Sequence, residues 1–196
     1  MLAWRSATRL LVLCLISAAA HLTGASAEDA LDRELSQCAS CHGQTGRSGD
    51  TTMPVIWGQN AAYITKQLND YRDGSRDSQI MSSMAEGIPR ARMSEAAERV
   101  AKRPWPDLAG PNPKKMHLSD LAQACTACHG VDLKGGQTDK EPAPRLAGQN
   151  ERYLAEQMQA FATTLRGNQP AMTSMMSGID AAQREALARE LAHYSP

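Results

Sequence analysis

Cys38-Ala39-Ser40-Cys41-His42 decides the reading of this chain, and it returns as Cys125-Thr126-Ala127-Cys128-His129. Each stretch is a Cys-x-x-Cys-His pattern, the attachment motif of c-type haem. On a helix, positions i, i+3 and i+4 share a face, so two thiols can bond the haem's vinyl groups while the histidine reaches the iron from the same side. Two copies therefore imply two covalently bound haem c groups. Cys38, Cys41, Cys125 and Cys128 would form the thioether links, and His42 and His129 would be iron ligands. A zinc ribbon sets its two cysteine pairs roughly 15–20 residues apart, whereas 83 residues lie between Cys41 and Cys125. A redox dithiol of the thioredoxin kind wants a βαβ surround, and neither segment offers one.

The first 27 residues read as an export leader. Arg5 and Arg9 form a positive n-region, 10–20 is an apolar h-region too short to span a bilayer, and Ala25-Ser26-Ala27 is a small-x-small cleavage site. The mature chain is expected to start at Glu28 in the periplasm. Cys14 falls in the h-region behind Leu13, where a lipoprotein site would want a small residue, so it belongs to the leader. The four remaining cysteines all lie in the two motifs, which leaves none for a structural disulfide. The 169 residues after the leader carry 19 basic and 21 acidic side chains, a net of −2. With no basic stripe and no long charge run, nothing points to nucleic acid or to a lipid surface.

A second repeat surrounds the motifs. Pro54-Val55-Ile56-Trp57-Gly58-Gln59-Asn60, continuing to Tyr63 and Gln67-Leu68, returns 90 residues later as Pro144-Arg145-Leu146-Ala147-Gly148-Gln149-Asn150, Tyr153 and Gln157-Met158. Met81-x-x-Met84-x-x-x-Ile88 returns as Met172-x-x-Met175-x-x-x-Ile179, 91 residues on. Two copies of one small domain are implied. Between them, 104–113 holds four prolines in ten residues, a stiff connector that no helix can cross. The expected organisation is a leader over 1–27, one domain over 28–103, a linker over 104–113 and a second domain over 114–196. With a single phenylalanine in the chain, domains of about 80 residues would struggle to build a core, so folding is expected to depend on haem.

Helices are predicted over 30–37 and 115–124, leading into the motifs, and over 60–71 and 150–165, opened by Asn60 and Asn150 as N-caps. Further helices over 94–102 and 180–193 would be capped by Ser94 and Asp180. No strand alternation is visible, and the class is all-α.

The sixth iron position decides the chemistry. A thioether there raises the potential and closes the site to substrates. Met81 and Met172, each roughly 40 residues past its histidine, are the best candidates; Met84, Met175 and Met176 are rivals. His117 and His193 would be needed for a bis-histidine site, and their places in sequence suggest solvent-facing positions. Pro54 and Pro144 follow the two histidines by 12 and 15 residues. Their carbonyls could accept the second imidazole N–H, or each proline could simply end a loop. Tyr63, Tyr153, Gln59 and Gln149 could approach haem propionates, or cap and pack helices.

The paired Cys-x-x-Cys-His motifs, the Pro-x-x-x-Gly-Gln-x-x-x-Tyr-x-x-x-Gln stretches and the paired Met-x-x-Met segments resemble di-haem class I cytochromes c of the cytochrome c4 type. The resemblance covers essentially the whole mature chain. It implies two tandem class I cytochrome c domains, each wrapped around one haem with His/Met ligation, their propionate edges facing across the domain interface. It also makes Met81 and Met172 the ligands and implies a periplasmic electron carrier working towards a terminal oxidase. The chain departs from the family in its closing helices. The usual aromatic pair is reduced to Tyr194 in the second half, and the first half is charged, with Arg90, Arg92, Arg99, Lys102 and Arg103. That cluster is either a docking face or solvated helix surface.

Three functions compete. A carrier that transforms nothing leads, with redox proteins as its partners: a dehydrogenase or membrane complex as donor and an oxidase as acceptor. The second is an electron-accepting cytochrome subunit of a periplasmic dehydrogenase. The third, catalysis at an open haem, is opposed by a methionine suitably placed in each half.

Overall fold

The structure, a computed structural model, describes residues 27–108, 117–138 and 141–196. Residues 1–26 of the expected leader, including Cys14, and 109–113 of the expected linker lie outside the described residues. Residues 34–196 form one compact unit; the part of 1–33 that is described is helical. No described helix is long and apolar enough to cross a membrane.

The first half consists of α1 (Ala27–His42), α2 (Ala61–Arg72), α3 (Gln79–Glu86), a 3-10 turn (Arg90–Arg92) and α4 (Met93–Ala101). The second half repeats that order with α5 (Asp120–His129), α6 (Glu151–Ala162), α7 (Pro170–Ser177) and α8 (Ala181–His193). The only strands among the described residues are the two-residue β1 (Gly136–Gln137) and β2 (Pro142–Ala143), an antiparallel pair inside a loop of the second half. The protein is all-α, as the sequence predicts.

Both attachment motifs lie on their helices rather than after them. α1 and α5 run through the cysteines and end on His42 and His129, where Gly43 and Gly130 adopt positive φ and turn the chain away. α5 starts at Asp120, capped by Ser119, whose hydroxyl accepts from the Ala122 N–H. Residues 115 and 116 of the helix predicted there lie outside the described residues. Asn60 caps α2 through the Tyr63 N–H, and Asp180 forms a capping box with Gln183 at α8. Asn150 sits at the N-cap of α6 without a side-chain capping bond; its Nδ2 donates to the Met53 carbonyl. Ser94 is not a cap: α4 begins at Met93, one residue earlier, and Arg92 precedes it without a side-chain bond.

Each middle helix packs on the closing and methionine-bearing helices of its own half, α2 on α3 and α4, α6 on α7 and α8. The buried positions follow the helical period: Leu154, Met158 and Phe161 on α6, Leu187, Ala188 and Leu191 on α8, Met93, Ala96, Ala97 and Val100 on α4. In the second half they join one continuous core with Leu133, Leu146 and Met176. The first half divides its core in two. Leu35, Ala39, Trp57 and Val100 gather beside the attachment motif, and Ala85, Ile88 and Met93 beside the methionine helix.

The repeated Gly-Gln pair explains itself locally. Gly58 and Gly148 both have φ of +71°, and their N–H groups donate to Val100 and Leu191, the ends of the closing helices. A Cβ on Gly58 would lie 3.0 Å from the Trp105 nitrogen, and one on Gly148 would meet the Trp105 indole at 3.2 Å. Trp105, in the described part of the proline-rich stretch, thus lies against both halves, with the Arg145 guanidinium 4.2 Å from its ring centre.

The charged stretch of the first closing helix is largely compensated from within. Arg90 pairs with Asp73, Arg92 with Glu34 and Arg99 with Glu95, while the Arg103 guanidinium lies over the Trp57 ring. Solvated, internally paired helix surface describes it better than a free basic face.

Candidate haem site

One cavity of about 1450 Å³ runs through both halves. It is lined by the cysteines of both motifs, by His42 and His129, and by Met81, Met84, Met172, Met175 and Met176. A single cofactor pocket is typically about 300–1,000 Å³, so the volume suits two large apolar groups. The side chains of Cys38 and Cys125 turn inward, and those of Cys41 and Cys128 are exposed. Among the described residues no group of three or more His, Cys, Asp or Glu side chains is placed to hold a metal ion. The residues present fit covalent haem.

Both histidines are oriented in the same way. His42 Nδ1 donates to the Pro54 carbonyl at 2.8 Å, and His129 Nδ1 to the Pro144 carbonyl at 2.8 Å. Of the two roles open to these prolines, the structure selects the acceptor. With Nδ1–H engaged, the free lone pair is on Nε2, the atom a metal would take. Burial lowers the pKa of both imidazoles, the proline hydrogen bond opposing it, so the neutral ring is favoured. His117 and His193 are exposed and do not line the cavity.

The methionine candidates differ in setting. Met81, Met84 and Met172 are partly buried along the cavity, Met175 is 41% exposed, and Met176 is 1% exposed within the second-half core. The helices that carry them are held by arginines. Arg72 on α2 donates to the Ala85 and Ile88 carbonyls, and Arg184 on α8 to those of Met176 and Ile179, the equivalent pair. A cation at a helix C-terminus is favourable. The two arginines occupy non-equivalent positions, so no repeat in the sequence reveals them. Replacing Arg184 with leucine is expected to lower stability by about 2–3 kcal/mol, because buried carbonyls lose a charged donor. Arg72→Leu should cost less, since Arg72 is only partly buried; the shift in urea midpoint measures both.

Where the halves meet, the repeat becomes a clasp. Gln59 Oε1 accepts from Arg145 N–H at 2.7 Å while its Nε2 donates to the Arg145 carbonyl at 3.1 Å. Gln149 does the same to Val55, at 2.8 and 2.9 Å. Asn60 donates to the Gly136 carbonyl and Asn150 to that of Met53. Gln59 and Gln149 are thus committed to backbone across the interface.

Beside them lie Arg76 and Arg166, each 6% exposed. Arg76 donates to Gln67, to Gln157 and to the Tyr153 hydroxyl; Arg166 donates to the same two glutamines and to the Tyr63 hydroxyl. Each guanidinium also covers an aromatic ring of its own half, Tyr71 at 4.6 Å and Phe161 at 4.4 Å. No carboxylate among the described residues pairs with either. Two buried cations sharing acceptors are costly unless anions answer them. Sequence reasoning missed both, although Arg76 and Arg166 obey the same 90-residue offset as Tyr63 and Tyr153 and were legible by extending the repeat.

The cytochrome c family profile matches residues 119–191. The chain is 30% identical to a cytochrome c4 of Thiocapsa roseopersicina, over 74% of this chain and 78% of the relative. It is 29% identical to a thiosulfate dehydrogenase electron acceptor of Stutzerimonas stutzeri, over 80% and 76%. Among solved structures, a cytochrome c4 of Acidithiobacillus ferrooxidans superposes with a TM-score of 0.68 at 28% identity, covering 81% of this chain and 98% of that one.

Proposed function

Because this chain belongs to the cytochrome c4 family of di-haem class I cytochromes c, we propose that it is an exported electron carrier that relays electrons through two haems towards a terminal oxidase. It carries covalently bound haem c through its two Cys-x-x-Cys-His motifs, and electron transfer is the common trade of its relatives. Bound haem supplies one-electron iron chemistry. The chain's own residues would hold it: Cys38, Cys41, Cys125 and Cys128 would anchor it, and His42, His129, Met81 and Met172 would supply its iron ligands. Domains over 28–103 and 114–196, joined by 104–113, each hold one haem, and the leader over 1–27 directs the protein to the periplasm. Arg76 and Arg166, with Tyr63 and Tyr153, receive the propionates at the interface, where their uncompensated charge calls for anions.

The observation that supports this reading best is the single cavity shared by both attachment motifs and the buried arginines. A shared cavity of this kind supports a relay in which two cofactors lie side by side with their charged edges together. The test is an optical spectrum of the purified protein, oxidised and reduced, with and without carbon monoxide. A weak band at the red end in the oxidised form, lost on reduction and indifferent to carbon monoxide, is expected for two closed sites. Ready carbon monoxide binding by the native protein would remove the carrier reading.

A second reading has one observation in its favour, the likeness to a thiosulfate dehydrogenase electron acceptor. In it the same relay serves as the acceptor of a periplasmic dehydrogenase. Co-purification of the native protein with a larger enzyme supports this reading; a monodisperse monomer that is reduced only by a membrane complex supports the first.

A further inference from the structure

The Pro54 carbonyl that accepts from His42 and the Val55 N–H that donates to Gln149 belong to one peptide group. The same holds for Pro144 and Arg145: that peptide accepts from His129 through its carbonyl and donates to Gln59 through its N–H. Each chain of bonds is short, 2.8 and 2.8 Å in one case, 2.8 and 2.7 Å in the other. Both amides are buried, Gln149 at 3% and Gln59 at 4% exposure. Their orientation is fixed by chemistry. Each Oε1 accepts two backbone N–H groups, the second from Asn150 or Asn60, while each Nε2 faces a carbonyl.

We propose that Gln149 and Gln59 are positioning residues that each tune the haem histidine of the opposite half through the intervening peptide. An acceptor on the N–H side of a peptide polarises it and makes its carbonyl a stronger acceptor, because bonds in such chains reinforce one another. A stronger pull on Nδ1–H makes the imidazole a better donor at Nε2. That favours the oxidised iron and lowers the potential. Each haem's potential then contains a contribution present only while the other half is docked. This rests on the reading of His42 and His129 as iron ligands.

The experiment uses the full holoprotein. Potentials of the two haems are measured by spectroelectrochemical titration in the native chain and in Gln149→Leu, Gln59→Leu and Asn150→Ala. Nuclear Overhauser contacts from haem methyl groups to protons of their own half assign each potential. Gln149→Leu is expected to raise the potential of the haem bound in the first half, at least about threefold in its reduced-to-oxidised ratio. At 59 mV per tenfold, that is about 28 mV. The His42 Nδ1–H resonance of the reduced protein should move upfield with it. Gln59→Leu should do the same to the second-half haem and His129. Asn150→Ala also breaks a bond across the interface, but to the Met53 carbonyl, and should shift neither potential selectively. If Gln149→Leu moves its own half's haem, both haems equally or neither, the proposal is overturned. It is also overturned if Asn150→Ala matches Gln149→Leu, since loosening of the interface then suffices. A native protein lacking two histidine-bound haems would instead overturn the reading of the site.

Discussion

A chain carrying Cys125→Ala and Cys128→Ala should be recovered with one haem instead of two and with its second half unfolded. The physical reason is the cavity. In the second-half core, Leu146, Leu154, Phe161 and Leu187 line the cavity, and the chain has one phenylalanine to do the work of several. A domain of about 80 residues has little stability to spare, and a buried macrocycle supplies the apolar area its sequence lacks. Removing both thiols also leaves the buried imidazole of His129 without its covalently held partner. The haem-to-chain ratio by pyridine haemochrome should fall from two to one, and limited proteolysis should cut 117–196 first. Retention of full helicity and protease resistance by this variant would show that haem is not part of the core.

The second large effect is expected from methionine. Met172→Leu preserves volume, so the fold should tolerate it at a cost below about 1.5 kcal/mol, while the thioether is lost. Half of the weak red-end absorption should vanish, carbon monoxide should bind one haem, and that haem's potential should fall by on the order of 0.1 V, within the roughly 0.8 V that axial ligands command. Met81→Leu should have the same effect in the first half. Met176→Leu is the control for packing: this side chain is 1% exposed in the core, and its replacement should leave the spectrum intact. Loss of the band in Met84→Leu or Met175→Leu, with Met81→Leu or Met172→Leu silent, would transfer the ligand role to those neighbours.

Much of this protein was legible in its sequence because the signals are local. Cys-x-x-Cys-His specifies a helical face and a covalent cofactor within five residues, and helices do carry both copies. Asn60 and Asp180 cap helices because a side-chain oxygen needs only an N–H three residues on. The prediction for Ser94 failed by two residues, the N-cap position falling on Arg92 after the 3-10 turn. The basic stretch at 90–103 read either as a docking face or as solvated helix surface, and the pairing of Arg90 with Asp73 and Arg92 with Glu34 needed the tertiary structure to be seen.

What the sequence determined by itself is the cofactor, its number, the helical class and the duplication, since each is written in spacing along one chain. What only the tertiary structure decided is what the duplication is for. Gly-Gln-Asn recurs at 90 residues, and in each copy the glutamine and asparagine bond backbone of the other half. Gln59 bonds Arg145, Gln149 bonds Val55, and Arg76 and Arg166 exchange tyrosines. The carbonyls that hold the methionine helices are bonded by Arg72 in one half and Arg184 in the other, from different helices. A hydrogen bond depends on distance and direction in space, and residues 77 to 103 positions apart acquire both only when the halves are packed together.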